Sequence, residues 1–274
     1  MGYDGMAPAD RPRRGPGLAF VVEIVRLNLM SGMAYRVSFL SQVVFMMINN
    51  AVFLAFWWIF FQRFQSVRGW GLHDVLVLFA VSAAGFGLAV VLFGNAVRLS
   101  TLIQQGEIDY YLTLPPDPLL HLLMTRMLLS GLGDLVFGVL LYALFVPSGP
   151  GSLALFLALV PVSACVFTSF CVIAHSLTFF IGSAEGISRF LSEALLTFSL
   201  YPDSLFSGTV KLLLFTLIPA GFMSYLPVQL LRSFSWSTFV GAVTAALLMA
   251  WTARTVFYAG LRRYESGNLV APRS

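Results

Sequence analysis

Six long apolar runs constrain this chain more than any other feature. They fall at 39–61, 75–94, 119–146, 152–181, 210–231 and 237–259 of the 274 residues, and each approaches the roughly 20 residues a helix needs to cross a bilayer. Hydrocarbon offers no water to satisfy backbone N–H and C=O groups, so each run is predicted as a helix. No two-residue alternation suggests a barrel. Composition agrees: 58% of residues are hydrophobic and only 10% charged, where a soluble domain carries about a quarter charged. The expected fold is an all-α membrane protein with six transmembrane helices spanning 38–259.

Charge bounds the partners. Sixteen Lys plus Arg against twelve Asp plus Glu give a net +4, and Lys211 is the only lysine. A small basic excess scattered among apolar runs suits membrane lipids with anionic headgroups and not a nucleic acid. Cys165 and Cys171 lie six residues apart in one apolar run, which excludes a disulfide framework or a CxxC metal site and predicts core filler. Arg11, Arg13 and Arg14 precede an apolar stretch, but Glu23 and Arg26 interrupt it and no small-x-small cleavage site follows. Residues 1–17 are therefore expected to be a disordered cytoplasmic N-terminus and 18–37 an interfacial amphipathic helix. A cytoplasmic N-terminus leaves only Arg63, Arg68 and Arg232 outside, with Lys211 and the 260–274 tail inside, so both termini are expected in the cytoplasm. Trp57, Trp58, Trp70 and Trp236 suit the outer aromatic belt.

The polar break at 98–118 then faces the cytoplasm. Leu99, Leu102 and Ile103 give a short helix one buried face, and Gly106 breaks it. A second short helix from Glu107 to Leu112 sets Ile108, Tyr111 and Leu112 against Glu107 and Asp109. Pro115 and Pro116 end it, and Asp117 followed by Pro118 is a helix start with an Asp cap. The segment reads either as a two-helix lever that meets another protein or as a well-capped surface loop. A second polar stretch, 183–200, places Glu185, Arg189 and Glu193 at four-residue spacing, and an ion-paired helix lying flat on the inner leaflet is expected there.

At these residues the chain resembles a known family. GEIDYYLTLPPDPLL resembles the cytoplasmic signature of bacterial type-2 ABC exporter permeases, the drug, antibiotic, lipid and polymer export class. IPAGFMSYLP resembles their proline-interrupted fifth span and GLRRYESGN their C-terminal tail. The resemblance implies that the loop is a coupling helix docking on a separate nucleotide-binding ATPase. The matching positions are Gly106, Glu107, Ile108, Asp109, Tyr111, Leu112 and Pro115; Pro116 and Asp117 depart from the pattern. It also implies a second permease, as homodimer or heterodimer, and a bacterial plasma membrane location. The chain has no GxxxxGK[ST] phosphate loop, so it is expected to hold no cofactor and no ATPase, with ATP and Mg bound by the partner. A secondary carrier or non-transporting membrane protein is the alternative, and the inverted repeats that would support a carrier are not evident.

Polar residues inside the runs are the candidate pathway. Ser130, Asp134 and Gly138 share one face, either as a hydrogen-bonded helix seam or as a substrate or proton site. Asn49 and Asn50 bond across an interface or line a route. Pro219, Gly221 and Pro227 break the fifth run, as a gate or hinge or as a static kink. No catalytic constellation is visible, and His175 lacks the neighbours a metal site needs.

Overall fold

The structure, a computed structural model, describes residues 18–114, 117–146 and 149–264. Pro115, Pro116, the N-terminal 1–17 and residues 265–274 of the expected tail lie outside the described residues. Among the described residues all regular structure is helical, with one isolated bridge between Val67 and Trp70. Helix α1 (Leu18–Ala34) breaks at Tyr35 before α2 (Arg36–Arg63). Its Asn28 Nδ2 donates to Met124 O at 3.1 Å, and Phe20 stacks edge-on against His121 at 5.0 Å.

The hub is α3 (Leu72–Leu92). In its span 78% of the residues are buried, against 11% for α2, because Ala80, Ala84, Gly85 and Gly87 let neighbouring backbones approach closely. A Cβ on Gly87 would stand 2.4 Å from the Leu135 nitrogen. After a 3-10 turn come two short helices, α4 (Leu99–Gln104) and α5 (Ile108–Leu112).

The third apolar run is not one helix. It divides into α6 (Pro118–Met124) and α7 (Gly131–Phe145). The six residues between them are pinned to α3, where Leu128 N donates to Val90 O at 3.1 Å and a Cβ on Gly94 would meet Arg126 O at 2.4 Å. A 15-residue helix is about 22 Å long, short of the roughly 30 Å hydrocarbon core. The fourth run forms α8 (Pro150–Ser176) and α9 (Thr178–Ile181).

The polar stretch at 183–200 contains α10 (Glu185–Ser199), packed along the bundle. Ser188 Oγ donates to Ala174 O at 2.7 Å near the end of α8, and Ser82 Oγ, midway along α3, donates to Ser199 O at 2.8 Å. Beyond it Tyr201 reaches Phe53 and Trp57, and Ser204 O accepts from Arg68 Nη1 at 3.0 Å. The segment thus runs from the end of the bundle bearing α4 and α5 to the opposite end. Its buried face is serine-rich, with Ser188, Ser192, Leu195 and Ser199, and the expected ion pairs among Glu185, Arg189 and Glu193 do not form. Arg189 and Glu193 are instead exposed with Ile187 and Phe190.

The fifth run also departs from a through-helix. Helix α11 (Gly208–Thr216) and the segment Gly221–Arg232, a π turn followed by α12 (Leu226–Arg232), are bent by 78°. Both arms begin and end beside the same feature: Lys211 Nζ pairs with Asp203 at 2.7 Å, Arg232 Nε pairs with Asp74 at 2.9 Å, and both line one cleft with Trp70. Lys211 therefore sits at the end that carries Arg68 and Arg232, and not with the positive residues of the opposite end as the charge count suggested. The hairpin tip reaches mid-bundle, where Ser163 Oγ donates to Met223 O at 2.7 Å. Helix α13 (Trp236–Leu261) is the last helix among the described residues. Among the described residues four helices, α2, α3, the α8–α9 unit and α13, are long and apolar enough to cross a membrane, and the bent pair would raise this to five. Trp58 and Trp236 are exposed as a belt requires, whereas Trp57 and Trp70 are buried in packing.

Candidate functional site

The 98–114 loop is a rigid platform with one exposed edge. Gly106 adopts φ +74°, the left-handed conformation that a residue with a side chain resists. It closes α4 with Gly106 N to Ile103 O at 3.3 Å and Glu107 N to Leu102 O at 3.1 Å, the paired bonds of a Schellman cap. Leu99, Leu102, Ile103 and Ile108 are fully buried, and Tyr111 meets His121 edge-on at 5.4 Å. Of the residues singled out from sequence, Ile108 and Tyr111 therefore anchor the platform from within, Leu112 is half-buried, and Glu107 is exposed. The pattern reading overlooked Tyr110, 65% exposed and beside Glu107 and Gln105 on the outer edge. Its three-residue spacing from Glu107 was the available signal.

Three anchors tie this platform to the membrane helices. Ser100 Oγ lies 2.6 Å from His175 Nδ1, and His175 Nε2 lies 3.4 Å from Ser192 Oγ, so one buried imidazole joins the loop, α8 and α10. Asp117 caps α6 by accepting from Leu120 N at 3.1 Å, as its sequence pattern predicts, and pairs with Arg254 of α13 at 2.7 Å. Asp109, half-buried, hydrogen-bonds Tyr264 beyond the end of α13, and the Tyr264 hydroxyl would lie 3.6 Å from a Cβ on Gly106. Burial first, and then the Asp109 charge, push the Tyr264 phenol above its ordinary pKa. His175, Arg254 and Tyr264 were not legible as parts of this site, because each becomes a neighbour of the loop only through helix packing.

The intramembrane candidates separate. Asn50 Nδ2 donates to Asp134 Oδ1 at 2.7 Å, both buried, while Asp134 Oδ2 has no partner among the described residues. Gly138 lies on the same seam, where a Cβ would stand 2.6 Å from Ala80 O, and Ser130 precedes α7 half-buried. Asn49, adjacent in sequence, points away and is exposed. Pro219, Gly221 and Pro227 gather at the hairpin tip. Pro219 and Gly221 bound its tightest turn, a Cβ on Gly221 would enter the Phe215 ring at 2.2 Å, and Pro227 is the second residue of α12, directly after the π turn.

A family model described as ABC-2 family transporter protein matches residues 44–267. No curated protein and no solved structure matches the chain. The matched region takes in α3 through α13 with most of α2, and so includes the platform, its anchors, the seam and the hairpin.

Proposed function

Because the chain belongs to the ABC-2 family, whose members are membrane permease subunits of transporters, we propose that it forms the pathway of an ATP-driven exporter powered by a separate ATPase. The observation that carries this reading is the exposed Gln105, Glu107 and Tyr110 edge mounted on an otherwise buried platform. Such an edge supplies the aromatic and charged contacts typical of an interface hot spot. ATP and Mg belong to that partner, and the push of its closure enters through the loop. His175 passes the displacement to α8 and α10, and Asp117 passes it through Arg254 to α13.

We read the crossings as six: α2, α3, α6 with α7, α8, α10 and α13. Helix α10, 15 residues long and lengthened by the turns on either side that carry the chain from 183 to Ser204, replaces the 210–231 run as the fifth crossing. The hairpin α11–α12 becomes a re-entrant element of the outer leaflet, and its Pro219, Gly221 and Pro227 tip becomes the outer gate. An even number of crossings keeps both ends of the matched region in the cytoplasm. A crossing α10 exposes Arg189 and Glu193 at membrane depth, where charged groups face protein or water and not lipid. That face, with Asn49 of α2, is read as the wall of a route shared with a second permease. An amphiphilic or hydrophobic substrate suits its mixture of Ile187, Phe190 and charge.

Purification of the permease with its ATPase from native membranes tests the proposal. Glu107→Arg combined with Tyr110→Ala is expected to lower recovery of the ATPase at least tenfold, since an aromatic hot spot contributes about 2 kcal/mol or more. Full transport by permease alone, driven by an ion gradient and indifferent to nucleotide, would overturn it.

A further inference from the structure

A slot of about 360 Å³ lies between α3, α6, α8 and α13. Its walls are mostly apolar, from Leu88, Leu123, Pro161, Val172 and Ala250, with Thr168, Ser169 and Arg254 as the polar side chains among them. Arg254 edges one end. Its side chain is 57% exposed although its partner Asp117 is 10% exposed; Nη1 lies 2.7 Å from Asp117 Oδ2, and the guanidinium rests over the Tyr258 ring at 4.9 Å. Among the described residues Nε and Nη2 have no acceptor. Thr168, 8% exposed, lines the same slot, and its hydroxyl has no partner among the described residues.

The depths of these groups are ordered. Cys165 Sγ donates to Ala246 O at 3.5 Å, which fixes the register of α8 against α13. Thr168 is thereby level with Met249 and Ala250, and Arg254 stands about 6–8 Å nearer the end that carries the 98–114 loop, at 1.5 Å per residue. The slot continues from Thr168 toward mid-bundle as far as Pro161, about 10 Å further. The sequence of a cation with free donors, a buried hydroxyl one turn deeper and an apolar channel beyond matches the order of parts in a glycerophospholipid.

We propose that this slot binds one phospholipid of the leaflet nearest the 98–114 loop. The phosphate accepts from Arg254 Nε and Nη2, an ester carbonyl accepts from the Thr168 hydroxyl, and one acyl chain fills the channel to Pro161. Basic residues in clefts between membrane helices recognise headgroups in this way, and a long cationic side chain near a helix end reaches the headgroup level. The lipid sits on the joint between α6 and α13 and shares one guanidinium with Asp117, beside the path that links the loop to the last helix.

The full chain in lipid nanodiscs tests this with phosphatidylglycerol carrying a photoreactive diazirine along one acyl chain. Crosslinks are expected on the slot-facing residues of α3, α8 and α13, competed by unlabelled phosphatidylglycerol but not by diacylglycerol, which lacks the phosphate. Ala250→Trp, which fills the channel, and Arg254→Gln are each expected to lower slot labelling about tenfold, the loss of one charge-assisted contact set. Thr168→Val lowers it by a smaller factor. Labelling spread over the exposed faces of α2 and α13 and unchanged by Ala250→Trp would overturn the site. Equal competition by diacylglycerol would overturn the role given to Arg254. If Arg254→Gln misfolds for want of a partner for Asp117, the competition and Ala250→Trp results on stable protein decide. None of these readings depends on an ATPase, so they stand or fall apart from the transport proposal.

Discussion

His175 is the residue on which most of the coupling geometry converges. It is 1% exposed, within 2.6 Å of Ser100 and 3.4 Å of Ser192. His175→Ala would leave the buried Ser100 hydroxyl without its partner, a cost of about 1–3 kcal/mol, while Ser192 Oγ keeps its bond to Ser188 O at 3.0 Å. The expected phenotype is ATP hydrolysis that continues while transport per ATP falls, with partial rescue by His175→Gln; equal loss of both rates would mean a folding role only. The Asn50–Asp134 pair behaves differently. Asn50→Leu strands a buried carboxyl and should lower the melting temperature, at about 1–3 kcal/mol, whereas adding Asp134→Leu should recover part of that loss. A double-mutant cycle on thermal unfolding in detergent measures the difference, and strict additivity would show that the pair is not coupled. At this scale sequence patterns were informative where the signal was local. The Asp117 cap and the Gly106 break rest on adjacent residues, while Arg254 and Tyr264 reach the same loop only through the fold.

At the scale of elements, hydropathy and packing parted in two places, for one physical reason. The 210–231 run is apolar enough to cross, and 183–200 is too charged, yet the contacts make the first a hairpin and the second a strut along the bundle. Hydropathy measures the average surface of a segment and not what each face meets. A helix that buries serines on one side and exposes charges on the other carries fewer apolar residues than a bent pair of helices whose tip packs into the bundle. The third run failed for another reason, since its break at 125–130 is held by a backbone contact with α3 that leaves no mark on composition. Single-cysteine labelling in intact cells decides the topology. Lys211→Cys and Arg68→Cys are expected to react with a membrane-impermeant maleimide from one side, and Glu107→Cys from the other. Lys211→Cys reacting together with Glu107→Cys would restore the 210–231 run as a crossing.

For the molecule as a whole, the burial of its helices is uneven. Helix α3 is enclosed, but α2 presents Asn49 outward and α10 presents Arg189 and Glu193. Lipid does not satisfy those groups, so this side is where a second permease is expected, related by a two-fold axis if the partner is identical. Asn49→Cys should crosslink to the partner permease with a short bifunctional reagent, and Trp251→Cys on the exposed face of α13 should not; the reverse pattern would move the interface to α13. The anchors of the 98–114 loop carry a consequence for biogenesis. The side-chain hydrogen-bond partners of the hairpin tip, Ser163 on α8 and Phe198 and Ser199 on α10, are synthesised before it, although the hairpin also packs against the later α13. The loop instead waits for Arg254 and Tyr264, which leave the ribosome long after it. A nascent or truncated chain lacking α13 and the residues after it therefore presents a loop without two of its three anchors, so that α13 sets when the loop takes its folded shape.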